Sequence, residues 1–286
     1  MGKFTKVDWA DHSFNPWLGC QSTSPACDGC YANKWALHFK MVEFGPGKPR
    51  KRSSADTWKA PHSWNAEAAR LGIRYRIFCA SLGDVFDNAV PREWRDDLWA
   101  LIRQTPHLDW ILVTKRIGNA MGMLPPDWGA GYPNVWLMAT VTTQEEAARD
   151  IPKLQAVPAI IRALSMEPLL GKVSIAKWLT GDNALDWIIV GGESGGRRAR
   201  PISVDWVVSI MEECQEAGVA FFFKQWGAWI PLSQLNADNI PANKVVAHEN
   251  ESKVVRLDNR LAKVVPSNYL NGQLHQNYPS RILKAA

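Results

Sequence analysis

From residue 76 onward the chain alternates short apolar runs with helix-like stretches, and this rhythm limits the folds open to it more than any other feature. The runs are RIFCASLGDVF (76–86), DWILVTKR (109–116), NVWLMATVTT (134–143), PAIIRALSMEPLLG (158–171), DWIIVGGESGG (186–196) and VAFFFKQWGAW (219–229). Between them lie PREWRDDLWALIRQT, where Pro91 suits a helix start, a Gly/Pro-rich loop, QEEAARDIPKLQ, KVSIAKWLT and SVDWVVSIMEECQEAG. Near-continuous apolar strands separated by helices predict a parallel sheet covered on both faces. The fold class is therefore α/β, with a partial (β/α) barrel expected and an open doubly wound sheet as the alternative. A segment ahead of Cys20 is a candidate for a further strand.

Polar residues gather where each run stops. They are Ser81 and Asp84, then Thr114, Lys115 and Arg116, then Thr140 and Thr142, then Ser165 and Glu167, then Gly191, Gly192, Glu193 and Ser194, and last Lys224 and Gln225. Several are i, i+2 pairs, whose side chains share one face of a strand. In a barrel that face can be the lumen near the C-terminal mouth, where enzymes of this architecture place their active sites. Core packing alone does not account for six such ends in succession. For Lys115, Arg116 and Lys224 the alternative is a salt bridge across the mouth.

The chain of 286 residues, 46% hydrophobic and 21% charged, has ample apolar mass for a core. Most of its fifteen Trp belong in that core. The opening MGKFTKVDWADHSF has no apolar signal-peptide core, and no apolar run approaches the about eighteen residues of a membrane span, so the cytosol is the expected compartment. A net charge of +5 permits a phosphate-bearing partner without demanding one. GPGKPRKRSS (45–54) reads as a flexible basic loop, either solvated or touching nucleic-acid phosphates. Residues 1–229 form the expected barrel domain, and 230–286, with short Val-rich runs and turn residues, a β-rich or irregular appendage or lid.

Three of the five cysteines, Cys20, Cys27 and Cys30, fall within eleven positions on a loop-like stretch with Gly19, Pro25 and Gly29. In a cytosolic chain such crowding points to metal or redox chemistry rather than disulfides. Structural zinc wants a fourth ligand, and His12 and His38 form no familiar spacing with the three. A four-cysteine cluster would recruit Cys79, two residues before Ser81 on the same strand face. Cys214, in the helix-like SIMEECQEAG, reads as a small buried apolar side chain. Three thiolates alone hold three irons of a [4Fe–4S] cluster and leave the fourth open, which suits chelation by the amino and carboxylate groups of S-adenosylmethionine. Three thiols with no shared ligand are the remaining reading.

DWADHSFNPWLGCQSTSPACDGCYANKWA resembles the opening of a phage and bacterial family marked by a three-cysteine motif. SLGDVFD (81–87), LVTKR (112–116), LSMEPLLG (164–171), VGGESGGRRARP (190–201) and GVAFFFKQWGAW (218–229) match it in order, over residues 8–229. The resemblance implies a divergent radical S-adenosylmethionine branch with a partial (β/α) barrel. Better-known radical enzymes space the cysteines C-x3-C-x2-C with an aromatic just before the last; here the first gap is six residues and Tyr31 follows Cys30.

The resemblance also implies roles. Cys20, Cys27 and Cys30 would hold the cluster. Ser81 and Asp84 match the place that contacts the methionine amino group, and Thr140 and Thr142 the place that holds the ribose. Ser165 and Glu167 would reach cofactor or substrate. In GGESGG, Gly192 and Glu193 would let the backbone approach the cofactor closely. Lys115, Arg116 and Lys224 would bind the cofactor carboxylate or a substrate phosphate. Arg197, Arg198 and Arg200 suit bidentate phosphate or carboxylate contacts, or are ordinary solvated charges.

Phage-associated relatives imply a modified DNA or nucleotide substrate, an external electron donor and, if phage-encoded, the host cytoplasm. A monomer acting away from membranes is expected. The leading concrete assignment is isomerisation of Nα-glycinyl-thymidine to Cα-glycinyl-thymidine in thymidine hypermodification. The alternatives are a radical DNA-repair lyase acting on damaged pyrimidines and a non-catalytic metal-binding protein that binds nucleic acid.

Overall fold

The computed structural model describes residues 5–195, 198–235, 245–247, 253–257 and 267–279. Strand β1 (His12–Phe14) comes first, then the short β2 (Trp17–Leu18), helix α1 (Tyr31–His38), β3 (Lys51–Arg52) and α2 (Ala55–Leu71). The alternating part follows: β4 (Tyr75–Cys79), α3 (Arg92–Gln104), β5 (Leu108–Thr114), α4 (Ile117–Ala120), β6 (Val135–Thr140), α5 (Gln144–Ala156), β7 (Ile161–Met166), β8 (Trp187–Gly191), α6 (Val204–Ala217) and β9 (Ala220–Gln225). Five short strands end the described chain: β10 (Trp229–Pro231), β11 (Val245–Ala247), β12 (Lys253–Arg256), β13 (Tyr269–Leu270) and β14 (Gln273–Leu274).

Seven strands make one sheet, ordered β1-β4-β5-β6-β7-β8-β9. All six predicted runs are strands of it, and β1 is the further strand expected ahead of Cys20. The order follows the chain from end to end. A doubly wound sheet reverses its strand order at a switch point, and this one does not. The fold is a partial (β/α) barrel of mixed α/β class, with small antiparallel sheets toward the C-terminus, β10-β12-β11 and β13-β14.

Local chemistry explains where the elements begin and end. Pro91 is the N-cap of α3, as its fixed φ allows. The Ser54 hydroxyl accepts from the Thr57 N–H at the start of α2, and Gly72 closes that helix in the left-handed region at φ 65°. No element is expected from the sequence over residues 55–71; they form α2, with Pro61 buried inside it. KVSIAKWLT forms only a single 3-10 turn, Ala176–Trp178, whose N-cap Ile175 makes no side-chain capping bond. Within the stretch 45–54, Lys51 and Arg52 form β3, which pairs with β2 as Trp17–Arg52 and Leu18–Lys51, and the rest is turn and loop.

The chain divides into two compact units, Met1–Thr140 with Pro152–Arg162, and Val141–Ile151 with Ala163–Ala286. In the first, β1, β4 and β5 run parallel, with Phe14 beside Cys79 and Cys79 beside Leu112. Its aromatic core includes Phe14 edge-on to Trp110 and Trp99 against Trp128. In the second, β7, β8 and β9 run parallel, and Trp187 packs on Phe222 and Tyr278. Ten of the fifteen Trp are buried core residues, as expected. Among the described residues no helix is long and apolar enough to cross a membrane.

Candidate functional site

The cysteine loop belongs to the first unit and is held at both ends. Gly19 has φ 106°, and its N–H donates to the Leu82 carbonyl at 3.0 Å. A side chain there would press on Arg50 Cδ at 3.1 Å and Val42 Cγ2 at 3.3 Å, so the turn entering the loop needs glycine. Ser24 caps a 3-10 turn, Pro25–Cys27, and the Cys30 N–H donates to the Cys27 carbonyl at 3.1 Å. Cys30 is then the N-cap of α1. Its flank packs on the small cluster of Leu18, Ala32 and Leu82. Tyr31, the aromatic that follows the last cysteine, ties α1 down by donating its hydroxyl to the Ser81 carbonyl at 3.0 Å.

All three loop cysteines are free and half-buried. Burial raises the pKa of the Cys20 thiol, more than the neighbouring Arg116 lowers it. Burial also acts to raise that of Cys27, but the Thr23 and Ser24 backbone, the Ser22 side chain and the charge of Lys115 outweigh it, and its pKa is lowered. The adjacent cations that end β5 thus act on two different cysteines of the loop. Cys79 is fully buried in β4, and burial pushes its thiol well up. Cys214 is buried in α6, as expected, with its pKa pushed up to about 12. His12 is buried with its ring stacked on Trp64 at 4.3 Å.

Among the described residues no group of three His, Cys, Asp or Glu is placed to hold one metal ion. A cubane cluster makes a different demand, because each thiolate ligates its own iron. The donor set fits that demand: three free thiols on one stretch, with cations beside two of them.

Ser81 and Asp84 are woven into the frame beneath the loop. The Asn15 side chain accepts from the Leu82 N–H at 2.7 Å and exchanges hydrogen bonds with the Ser81 hydroxyl. Asp84 is buried and accepts from Thr114 Oγ1 at 2.7 Å, the Phe86 N–H at 3.0 Å, the Lys115 N–H at 3.0 Å and Arg116 Nη1 at 3.2 Å. Arg116 and Asp84 thus form a salt bridge between the residues that follow β5 and β4. Thr140, at the end of β6, is buried, and its hydroxyl has no hydrogen-bond partner among the described residues.

The basic stretch 45–54 is largely paired within the protein. Arg50 meets Asp87 at 2.8 Å, Arg52 meets Asp97 at 2.7 Å and lies over the Trp58 ring at 4.6 Å, and Lys48 meets Glu43 at 2.5 Å. Sequence reasoning assigned no role to Asn15 or Asp87, and read Arg50 only as part of the basic stretch 45–54. The signal was there for Asp87, since SLGDVFD carries two acids three residues apart.

The second unit carries its own strand-end polar groups. Thr142 is fully buried, and both its N–H and its hydroxyl donate to Glu146 Oε2, at 2.8 and 2.7 Å, which secures the first turn of α5. Ser165 is buried on β7, and its carbonyl accepts from the Val141 N–H at 3.2 Å. Glu167 and Lys224 form an ion pair; the second carboxylate oxygen, Oε1, is buried with no hydrogen-bond partner among the described residues. Glu193 is buried and accepts three hydrogen bonds from Arg200, one from its backbone and two from its guanidinium. Gly192 is required by its own chain: a Cβ there would stand 2.0 Å from the Trp226 carbonyl oxygen. Arg198 is exposed, and Arg197 lies outside the described residues.

The chain belongs to the family described as Protein of unknown function (DUF5131), whose model matches residues 4–279. A search of curated protein sequences found no match. Among solved structures it is similar to spore photoproduct lyase complexed with dinucleoside spore photoproduct, at 11% identity and TM-score 0.47, covering 91% of this chain and 72% of that one. A mutant of the same lyase with bound AdoMet and the dinucleoside aligns at 12% identity and TM-score 0.44, covering 91% of this chain and 73% of that one. Likeness at this level assigns no residue and no reaction to this chain.

Proposed function

We propose that this member of the family is a radical S-adenosylmethionine enzyme that modifies a nucleobase in DNA, with a [4Fe–4S] cluster held by Cys20, Cys27 and Cys30. The observation that carries the reading is the cysteine loop: three free, half-buried thiols on a braced loop, two of them beside Lys115 and Arg116. Lys115 helps lower the Cys27 pKa toward the thiolate that ligates iron, and Arg116 opposes the burial that raises that of Cys20. When bound, the cluster and S-adenosylmethionine supply a carbon radical by reductive cleavage of the sulfonium. The chain's part is to hold, orient and shield. The orphan hydroxyl of Thr140 offers a buried donor and acceptor for a ligand hydroxyl, in keeping with the ribose contact expected there. In the second unit Glu167 Oε1 offers a buried acceptor for an N–H or O–H donor.

A nucleic-acid substrate draws support from α1 and the residues after it. Tyr31, Trp35 and Phe39 are exposed at helical spacing, interleaved with Lys34 and Lys40, and no acid lies between residues 31 and 40. Aromatic faces set among cations are what unstacked bases and their phosphates require. Within that class the leading assignment is isomerisation of Nα-glycinyl-thymidine to Cα-glycinyl-thymidine. There the attachment moves from the amino nitrogen to the α-carbon with no net oxidation.

The test is anaerobic purification and reconstitution, followed by incubation with reductant, S-adenosylmethionine and modified phage DNA. A brown protein containing iron and sulfide, which releases 5′-deoxyadenosine only with that DNA, is expected. Nucleoside analysis separates the reactions, because an isomerase leaves the mass of the modified nucleoside unchanged and a repair lyase returns ordinary pyrimidines. Cys27→Ala should lose cluster and cleavage together, while Cys79→Ala should keep the cluster. A colourless protein with stoichiometric zinc would sink the proposal.

A further inference from the structure

We infer that Arg116 is a positioning residue for Cys20 and raises the reduction potential of the cluster; this rests on the radical reading above. Arg116 Nη1 lies 3.3 Å from Cys20 Sγ, and Nη2 donates to the Gln21 carbonyl at 2.9 Å. One guanidinium therefore holds both the thiol and the backbone beside it. It is itself held, because Nη1 also meets Asp84 Oδ2 at 3.2 Å, with the two side chains 7% and 6% exposed. Asp84 has no freedom to follow another partner. Thr114 Oγ1 and the Phe86 N–H occupy Oδ1, and the Lys115 N–H shares Oδ2 with the arginine.

The result is a rigid relay from the end of β5, through a saturated carboxylate, to the sulfur of the first loop cysteine. Its groups face one another rather than solvent, so the geometry gives Arg116 work on the Cys20 sulfur, with Asp84 holding the guanidinium in place. Reduction adds negative charge to a cluster. A fixed N–H···S bond and a fixed cation both stabilise the more negative state, and hydrogen bonds to the sulfurs are among the levers that set cluster potentials. A bond to Gln21 alone would brace the loop and leave the potential untouched, which makes the potential the discriminating measurement.

Arg116→Gln and Arg116→Lys are reconstituted beside the wild type, assayed for iron and sulfide, and titrated electrochemically with the reduced cluster followed by electron paramagnetic resonance. In Arg116→Gln the cluster content should match wild type, while the reduced-to-oxidised ratio at the wild-type midpoint falls about tenfold, equal to a 59 mV negative shift for a one-electron couple. Arg116→Lys keeps the charge but cannot reach Cys20, Gln21 and Asp84 together, so its ratio should fall less. Should Arg116→Gln fail to fold by circular dichroism, Arg116→Lys carries the test alone. Variants that hold a full cluster at the wild-type midpoint overturn the inference and leave the radical reading standing. A wild-type protein that takes up no cluster overturns both.

Discussion

Arg50 and Asp87 meet at 2.8 Å with side chains only 1% and 2% exposed. Water reaches neither, so each is the other's main compensation for leaving solvent. Removing one partner of such a pair costs about 3–5 kcal/mol, because the remaining charge stays buried. Arg50→Ala should therefore lower the urea midpoint of unfolding by an amount equivalent to that range. Lys59→Ala, which removes an exposed ion pair with Asp56, should leave the midpoint where it is. Neither difference is visible in the sequence, where Arg50 is one of four basic residues in a run and reads as loop charge. Burial alone separates it from its neighbours.

At the level of elements, the turn after β8 and the turn after β9 interlock. The Gly192 N–H donates to the Gln225 carbonyl at 2.8 Å, and the Ala228 N–H donates to the Glu193 carbonyl at 2.9 Å. Gly227, at φ 85°, completes the crossing. The GGESGG motif thus lets backbone meet backbone, although the same glycines read from sequence as room for a ligand. Gly192→Ala should destabilise by about 1–3 kcal/mol or more, as overpacking does, read by thermal or urea unfolding. Gly171→Ala is the control, since nothing lies within 4 Å of the added Cβ and it should cost little. The capping of α5 teaches the same lesson. Thr142, which the family resemblance places at the ribose, donates its hydroxyl to Glu146, a partner that spacing along the strand does not reveal.

For the molecule as a whole, net charge of +5 says only that a polyanion is tolerated, since much of the basic stretch 45–54 is paired internally. The aromatic side chains exposed on and just after α1 make the sharper case for a nucleic-acid partner. Trp35→Ala combined with Phe39→Ala should weaken binding of a single-stranded oligonucleotide by about 1–3 kcal/mol for each stacked base lost, measured by fluorescence anisotropy. The slope of affinity against salt should hold constant, because the phosphate contacts are unchanged. Equal affinity in wild type and double variant would remove that face from the account.

Features encoded over short range can be read directly from the chain. The alternation of strands and helices is read from apolar runs and their lengths, and the three cysteines are met together because they are neighbours in the chain. The pairing of groups far apart in sequence emerges only on folding. Arg116 reaches Cys20 across 96 residues, and Asn15 reaches Ser81 across 66. Which strand-end residues keep an orphan polar atom, as Thr140 and Glu167 do, and which are saturated, as Asp84 is, depends on the donors that folding brings around them. Spacing along a strand says which face a side chain takes. It cannot say what stands opposite, because that partner comes from another part of the chain.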